Sequence, residues 1–281
     1  MTAPLLVVDA PSLLFRGFFA LPKSITDDGG HAVNGLLGTA NMVLRVVDEY
    51  DPRAVVLCFG PDAAPYRVEL YDGYHADRPP VPDELAWQFA RSRGFFEALG
   101  WYVDHDDSVE ADDLLGSYAH VETAAGGRTL ILTGDRDMYQ CASDDVLVLY
   151  VKTGSGVEEV DRREVVKRYG VLPEQVPDFI ALRGDPSDGI PGAKGIGEKT
   201  AASILQKHGT LEAAIAAAAD GSSRFSGVLR GSADALRRYL DIATLRQLDV
   251  QRPADRGLDR EGGAQAAREL GMNRLADRLV G

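Results

Sequence analysis

Cysteine is scarce. Cys58 and Cys141 are the two in 281 residues, they form no metal-type pair, and they suit a reducing compartment such as the cytoplasm. Long apolar runs are missing too: no stretch approaches the roughly 20 residues needed to span a bilayer, and the N-terminus lacks a basic-then-apolar signal pattern. Neither a membrane span nor a leader is therefore expected. Positive charge is in deficit, with 30 Lys and Arg against 43 Asp and Glu, a net charge of −13. That balance excludes loose, whole-surface attraction to nucleic acid, so a nucleic-acid binder built on this chain needs local basic patches or bound cations. What remains is ordinary for a globular protein: 45% hydrophobic and 26% charged residues, enough for one or two domains with a sizeable core.

Three unbroken apolar runs stand out, "PLLVVDA" at 4–10, "AVVLCFG" at 54–60 and "TLILTGD" at 129–135. Runs of this kind, bounded by Gly, Pro and Asp, read as strands buried on both faces, the mark of a parallel sheet. Helix-compatible segments lie at 33–49, 82–99 and 111–122, and their alternation with strands predicts an α/β layered domain. "VLVLYV" (146–151) and "GVEEV" (156–160), separated by residues 152–155, read as an edge hairpin. After about residue 160 the character changes. Asp161 is placed to N-cap a helix ending at Gly170, and from there onward helical segments and Gly-rich turns predominate without a convincing strand. The expected organisation is an α/β domain over 1–170 and a helical region over 171–281, with an exposed loop at 251–264 and no readable chemistry in 251–281.

Acids recur where the strands end. The first run closes on Asp9, the third on Asp135 with Asp137 two residues later, and "VEADDLLG" (109–116) packs Glu110, Asp112 and Asp113 into four positions. "RGDPSDGIPG" adds Asp185 and Asp188 in a tight turn. In open parallel sheets the crevice beyond the carboxyl ends of the strands is where ligands bind. Two like charges ~4 Å apart repel by roughly 4 kcal/mol at a surface dielectric. If these acids meet, cations must neutralise them or some take up protons. Hard oxygen donors without a His/Cys set favour Mg²⁺ or Mn²⁺ over zinc, and carboxylates around two or more such ions are a way to clamp an in-line phosphoryl displacement. Each acid alone also fits a solvated turn or cap, and Ser108 is placed to N-cap the helix that follows.

Residues 191–209, "PGAKGIGEKTAASILQKHG", place Gly192, Gly195 and Gly197 in a turn ahead of a helix that stops at Gly209. Glycines bring backbone N–H groups close to an anion, the helix N-terminus favours negative charge, and Lys194 and Lys199 add cations for successive phosphates. An element of this kind grips nucleic-acid backbone without reading bases. The spacing does not match a Walker A loop.

In sequence order these pieces resemble the bacterial 5′ nucleases, the flap endonucleases and 5′–3′ exonucleases related to the N-terminal nuclease domain of DNA polymerase I. The resemblance rests on "VVDAPSLLFR", "YHADRPPVPDEL", "VEADDLLG", "LTGDRDMYQ" and "ALRGDPSDGIPGAKGIGEKTA" and covers roughly residues 4–250. It implies a PIN-like α/β domain with an arch at about 62–81, and a helical region whose helix–three-turn–helix motif spans about 185–215. Divalent-metal cleavage of DNA near 5′ ends, flaps, nicks or gaps in replication and repair is implied with it, by a monomer in the bacterial cytoplasm. By the same resemblance Asp9, Glu110, Asp112, Asp113, Asp135, Asp137, Asp185 and Asp188 surround two or three Mg²⁺ or Mn²⁺ ions, and the turn at 192–197 holds duplex phosphates with help from K⁺. Arg67, His75, Arg78 and Arg16 are the expected phosphate contacts, and Tyr66 and Tyr74 either stack on unpaired bases or bury inward.

Two departures from the family pattern matter. Gly60 stands where an Asp is usual, leaving Asp62 as its possible replacement, and His75 stands where a lysine is usual. They leave open a branched-DNA-binding module with weak catalysis, and a PIN-type ribonuclease is the further alternative.

Overall fold

The computed structural model describes residues 3–152, 156–221 and 223–281. Among these, strands β1 (Leu5–Asp9), β2 (Ala54–Phe59), β3 (Tyr102–His105), β4 (Thr129–Thr133), β5 (Val146–Lys152) and β6 (Gly156–Val160) form one sheet in the order β3-β2-β1-β4-β5-β6. The first five run parallel; β6 returns antiparallel to β5. The β5–β6 pairing agrees with the expected hairpin, though residues 153–155 of its connection lie outside the described residues. The N-terminal helices are α1 (Ala10–Ala20), α2 (Asn34–Tyr50), α3 (Pro65–Leu70), α4 (Asp83–Ala98), α5 (Ala111–Ala124) and α6 (Arg162–Tyr169). The helical region adds α7 (Val176–Arg183), α8 (Glu198–His208), α9 (Leu211–Ala217), α10 (Ser226–Gly231), α11 (Ala233–Ala243), α12 (Arg260–Glu269) and α13 (Asn273–Val280).

Alternation along the buried strands divides the interior in two. Leu5, Val7, Val56, Ile131 and Val148 face α5 and the helical region through Leu114, Phe179, Leu205 and Leu236. Leu6, Val8, Leu57, Leu132 and Leu149 face the other way, onto Leu13, Leu36 and Phe96 of α1, α2 and α4. This second layer also takes Ala264, Ala267, Leu275 and Leu279 from α12 and α13. The chain's end thus returns to the layer of α1, α2 and α4 instead of extending the helical region, and the loop expected at 251–264 gives way to helix at Arg260.

A buried ion-pair knot fixes that return. Glu122 of α5, fully buried, accepts from Arg53 at the start of β2 and from Arg252 at 2.9 and 3.0 Å, while Arg53 also reaches Asp255 at 2.8 Å.

Candidate active site

The sheet's switch point lies between β1 and β4: the chain leaves β1 toward one side and β4 was added on the other, so a crevice opens at their carboxyl ends. Asp9 ends β1 there and N-caps α1, accepting from the Ser12 N–H at 3.1 Å. The hydroxyl of Thr133, at the end of β4, donates to Asp9 Oδ2 at 2.6 Å, and Thr133 Oγ1 itself accepts the Asp135 N–H at 2.9 Å. Asp135 in turn accepts the Asp137 N–H at 2.9 Å. Thr133 is thus a site residue that the acid-centred reading missed; its place at the strand's end, two residues before Asp135 in "LTGD", is the signal it leaves.

The crevice is a cavity of about 430 Å³ whose walls include Asp9, Asp62, Glu110, Asp112, Asp135 and Asp188. Asp112 comes from the first turn of α5. Asp137 and Asp185 lie outside that lining yet close enough to act electrostatically.

Charge is uncompensated at its centre. Burial pushes the Asp112 carboxyl well above the ordinary range, and Asp9, Asp135 and Glu110 push it further. Burial likewise drives Asp137 well up, with added repulsion from Asp135, Asp188 and Asp185. Asp9 is raised by burial despite its hydrogen bonds to Thr133 and Ser12. Asp135 is raised to about 6, by burial first, against the stabilising Asp137 N–H. Two overlapping groups emerge, Asp9, Glu110, Asp112 and Asp135 on one side and Asp135, Asp137, Asp185 and Asp188 on the other, joined at Asp135. Among the described residues no Lys or Arg forms a salt bridge with Asp9, Asp112, Asp135 or Asp137.

The donor set, all carboxylate, matches a hard divalent cation in chemistry and in the charge it lacks. The oxygens do not close into a shell, however: among the described residues no group of three or more His, Cys, Asp or Glu is arranged to hold a metal ion.

Several expected residues sit elsewhere. Asp113 points away from the crevice and is fully buried against Arg67, whose guanidinium donates to both its oxygens at 2.9 Å. It also accepts the Arg246 N–H at 2.8 Å, so none of its capacity is left for a metal. Arg67 is equally committed, its Nε donating to the Ile242 carbonyl at 2.9 Å, and is not placed to hold a phosphate. Tyr66 and Tyr74 are buried, not offered to bases. The Tyr66 hydroxyl lies 3.2 Å from Asp113, and that of Tyr74 donates to Glu110 at 2.9 Å. The segment expected to arch, 62–81, is folded down as α3 and turns against the helical region. Glu110, not Ser108, N-caps α5, while Ser108 bonds back to Asp106 at 2.6 and 2.7 Å.

The crevice mouth carries its own network. Arg78 bridges Asp62 and Asp188 at 3.1 and 3.0 Å, and His75 Nε2 lies 3.1 Å from Asp188. Asp62, exposed at the crevice mouth, faces this cation. Gly60 is closed to any side chain: a Cβ there falls 2.4 Å from the Val109 carbonyl oxygen and 2.9 Å from Ala111 N. Arg16 lines the crevice while donating to the Gly134 carbonyl at 2.8 Å. Asp185 is held by the Ser187 N–H at 2.9 Å and by Arg183 at 3.2 Å; neither partner was evident from sequence.

Beyond Asp185, the glycine turn leads into α8. Ala193 and Ile196 anchor it inward, and Lys194, Gly195, Gly197 and Lys199 remain exposed ahead of and within the first turn of the helix. Gly192 differs: a Cβ would meet Gly184 N at 2.3 Å, so this glycine serves backbone packing and not an anion.

Comparison with known proteins follows the same division. Residues 4–170 match the family model for the 5′-3′ exonuclease N-terminal resolvase-like domain, and residues 171–258 that for the 5′-3′ exonuclease C-terminal SAM fold. A 5′-3′ exonuclease of Mycobacterium tuberculosis is 33% identical over 311 residues, covering 99% of this chain and 97% of the relative. DNA polymerase I of the same organism is 40% identical over 215 residues, 75% of this chain; the match spans only 24% of the polymerase. Among solved structures, the bacteriophage T5 flap endonuclease, in a pseudo-enzyme-product complex with DNA and metal ions, superposes with a TM-score of 0.70. The identity is 18%, covering 99% of this chain and 98% of the other. The catalytic core of Rad2 in complex with DNA substrate gives 0.64 at 15% identity, covering 99% and 91%. At those identities the superpositions speak to the fold.

Proposed function

Since this chain belongs to the 5′-3′ exonuclease family, we propose that it is a divalent-metal-dependent 5′ nuclease. It hydrolyses DNA phosphodiesters near 5′ ends, flaps, nicks or gaps, as a monomer in the bacterial cytoplasm. The observation that carries this reading is the row of carboxylates at the sheet's switch point, Asp9 buried and Asp112, Asp135 and Asp137 half-buried, each displaced toward protonation and none in a salt bridge with Lys or Arg among the described residues. Asp9, Glu110, Asp112 and Asp135 would hold one Mg²⁺ or Mn²⁺, and Asp135, Asp137, Asp185 and Asp188 another. Bound there, such ions would supply Lewis-acid activation of water and neutralise charge on the reacting phosphate.

The chain's own residues do the positioning. Thr133 fixes Asp9 and the Asp135 backbone together, so the two halves of the acid set keep a constant spacing. Arg78, on the crevice rim between Asp62 and Asp188, and Arg16, on its wall, are placed to receive a phosphate. Lys194 and Lys199, with the exposed backbone ahead of α8, would grip duplex phosphates without reading bases, K⁺ assisting at the turn.

Asp112→Asn and Asp137→Asn test the assignment. Both variants are expected to lose cleavage of a 5′-flap duplex in Mn²⁺ while still binding it. Without metal both should melt higher than wild type, since an amide removes a buried, repelled charge; the Mn²⁺-induced rise in Tm should shrink. Turnover at the wild-type rate in both variants refutes the metal assignment. The closed slot at Gly60 favours one second reading, a branched-DNA-binding module with weak catalysis. Labelled flap DNA bound in Mn²⁺ without any product would select it.

A further inference from the structure

A second cavity, of about 640 Å³, opens between α1, α2 and the β5–β6 edge. Its size falls within the usual range for ligand pockets, about 300–1,000 Å³. Phe15 and Arg16 line both this groove and the acidic crevice, so the two adjoin. Along α1 the residues 15, 16 and 19 share a face, and Phe19 lies about 15 Å from Asp9 at 1.5 Å per residue.

Three features of the groove are unusual for a plain surface. Phe19 is 71% exposed, with its ring stacked on Phe15 at 6.4 Å between centroids and 22° between planes. Met42 adds apolar floor beside it. Arg16 and Arg45 border the groove, and among the described residues neither forms a salt bridge with a carboxylate, in a chain of net charge −13. Lys152 is also there but already pairs with Glu158 at 2.7 Å. An accessible aromatic face between two guanidinium groups without a carboxylate salt bridge among the described residues is the chemistry that receives unpaired nucleotides, base on ring and phosphate on guanidinium. An apolar peptide would leave the Arg45 guanidinium without counter-charge.

We propose that this groove is a nucleic-acid subsite that seats unpaired nucleotides of the strand entering or leaving the acidic crevice, with bases against Phe19 and Met42 and phosphates between Arg16 and Arg45. The proposal rests on the nuclease reading for its substrate, but its test does not depend on cleavage.

The full-length protein in EDTA is titrated into a fluorescein-labelled ten-nucleotide oligo-dT, and separately into a blunt duplex without unpaired nucleotides, with anisotropy as the readout. Phe19→Ala and Arg45→Ala should each weaken single-strand binding about tenfold, in line with the loss of one stacked base or one phosphate contact. The ratio of single-strand to duplex affinity should fall accordingly. A 5-iododeoxyuridine in the oligonucleotide should crosslink to the α1 segment that carries Phe19. Unchanged binding in both variants, equal losses on duplex, or crosslinks confined to other segments overturn the subsite. So does a change of oligomeric state in Phe19→Ala with nucleic-acid binding intact, which would assign the face to a second copy. If Asp112→Asn cleaves normally while Phe19→Ala still weakens single-strand binding, the metal assignment fails and the subsite stands. If wild type cleaves in a metal-dependent way and neither groove variant changes binding, the subsite alone fails.

Discussion

Arg67 is the sharpest place to separate structure from chemistry, because an arginine at that position is equally plausible as a phosphate clamp. The structure instead gives it a buried carboxylate partner. Its side chain is 4% exposed and that of Asp113 is 0%, with two parallel 2.9 Å hydrogen bonds between them. Removing one partner of such a pair strands a buried charge, at a cost of about 3–5 kcal/mol. For a chain of this size that corresponds to a fall in Tm on the order of 10 °C. Arg67→Met should show this loss. Asp113→Asn on top of it removes the stranded charge yet keeps an amide oxygen for the Arg246 N–H, now 2.8 Å from Asp113. The double variant is therefore expected to regain roughly half of the loss, a coupling above about 1 kcal/mol in the double-mutant cycle. Urea unfolding followed by circular dichroism measures stability, and flap cleavage at a temperature well below both transitions measures function. The double variant should cleave within a few-fold of wild type. An Arg67→Met protein with unchanged unfolding and abolished cleavage refutes the reasoning and returns Arg67 to the substrate.

Gly60→Asp, which restores the family's usual acid, should harm the protein: its Cβ meets the Val109 carbonyl oxygen at 2.4 Å, so the start of α5 must shift. A loss of about 1–3 kcal/mol in thermal unfolding and weaker cleavage are expected, and tighter Mn²⁺ binding in calorimetry contradicts the closed slot. Glu122 gives a pH dependence. Burial alone would raise its carboxyl, but hydrogen bonds from Arg53 and Arg252 outweigh it and hold it below the ordinary 4.5. A depressed folded value means stability present above the unfolded pKa and lost as pH falls through the lower, folded one. Wild type should accordingly lead Glu122→Gln in urea unfolding at pH 7 and lose that lead below about pH 4; a gap that does not change with pH contradicts the ion-pair account.

The sheet was legible where its strands are buried on both faces, since residues 5–9, 54–59 and 129–133 are continuous apolar runs. β3 was not, because as an edge strand it is only half-buried and its "YVDH" carries no apolar run. The return of α12 and α13 was hidden for a related reason. Their buried positions are largely Ala and Gly, and what docks them is a core contributed by residues far earlier in the chain. At the site, the placement of acids at strand ends identified the crevice, but could not separate Asp112 from Asp113. Neighbours on a helix point about 100° apart, and which one meets the crevice depends on Arg67, 46 residues upstream. The tyrosines failed to discriminate likewise: Tyr66 and Tyr74 have aromatic bodies for the core and hydroxyls for Asp113 and Glu110, a use that spacing alone does not reveal.

The distribution of cations among acids carries the remaining argument. With 13 more acids than bases, the chain must leave carboxylates unpaired, and on a plain surface these would be scattered in water at little cost. Here buried acids divide sharply. Asp113 and Glu122 each receive guanidinium partners, and Asp188 at the rim shares Arg78 and His75. Asp9, buried, and Asp112, Asp135 and Asp137, half-buried in the crevice, receive only hydroxyl or backbone donors or none, and all are driven toward protonation. A fold that neutralises its structural acids and withholds bases from one adjacent set stabilises itself less than it could in the absence of ligand. That deficit is confined to the switch point of the sheet, where an external cation would both remove the repulsion and meet a phosphate held by Arg78, so the missing stability and the proposed chemistry have the same location.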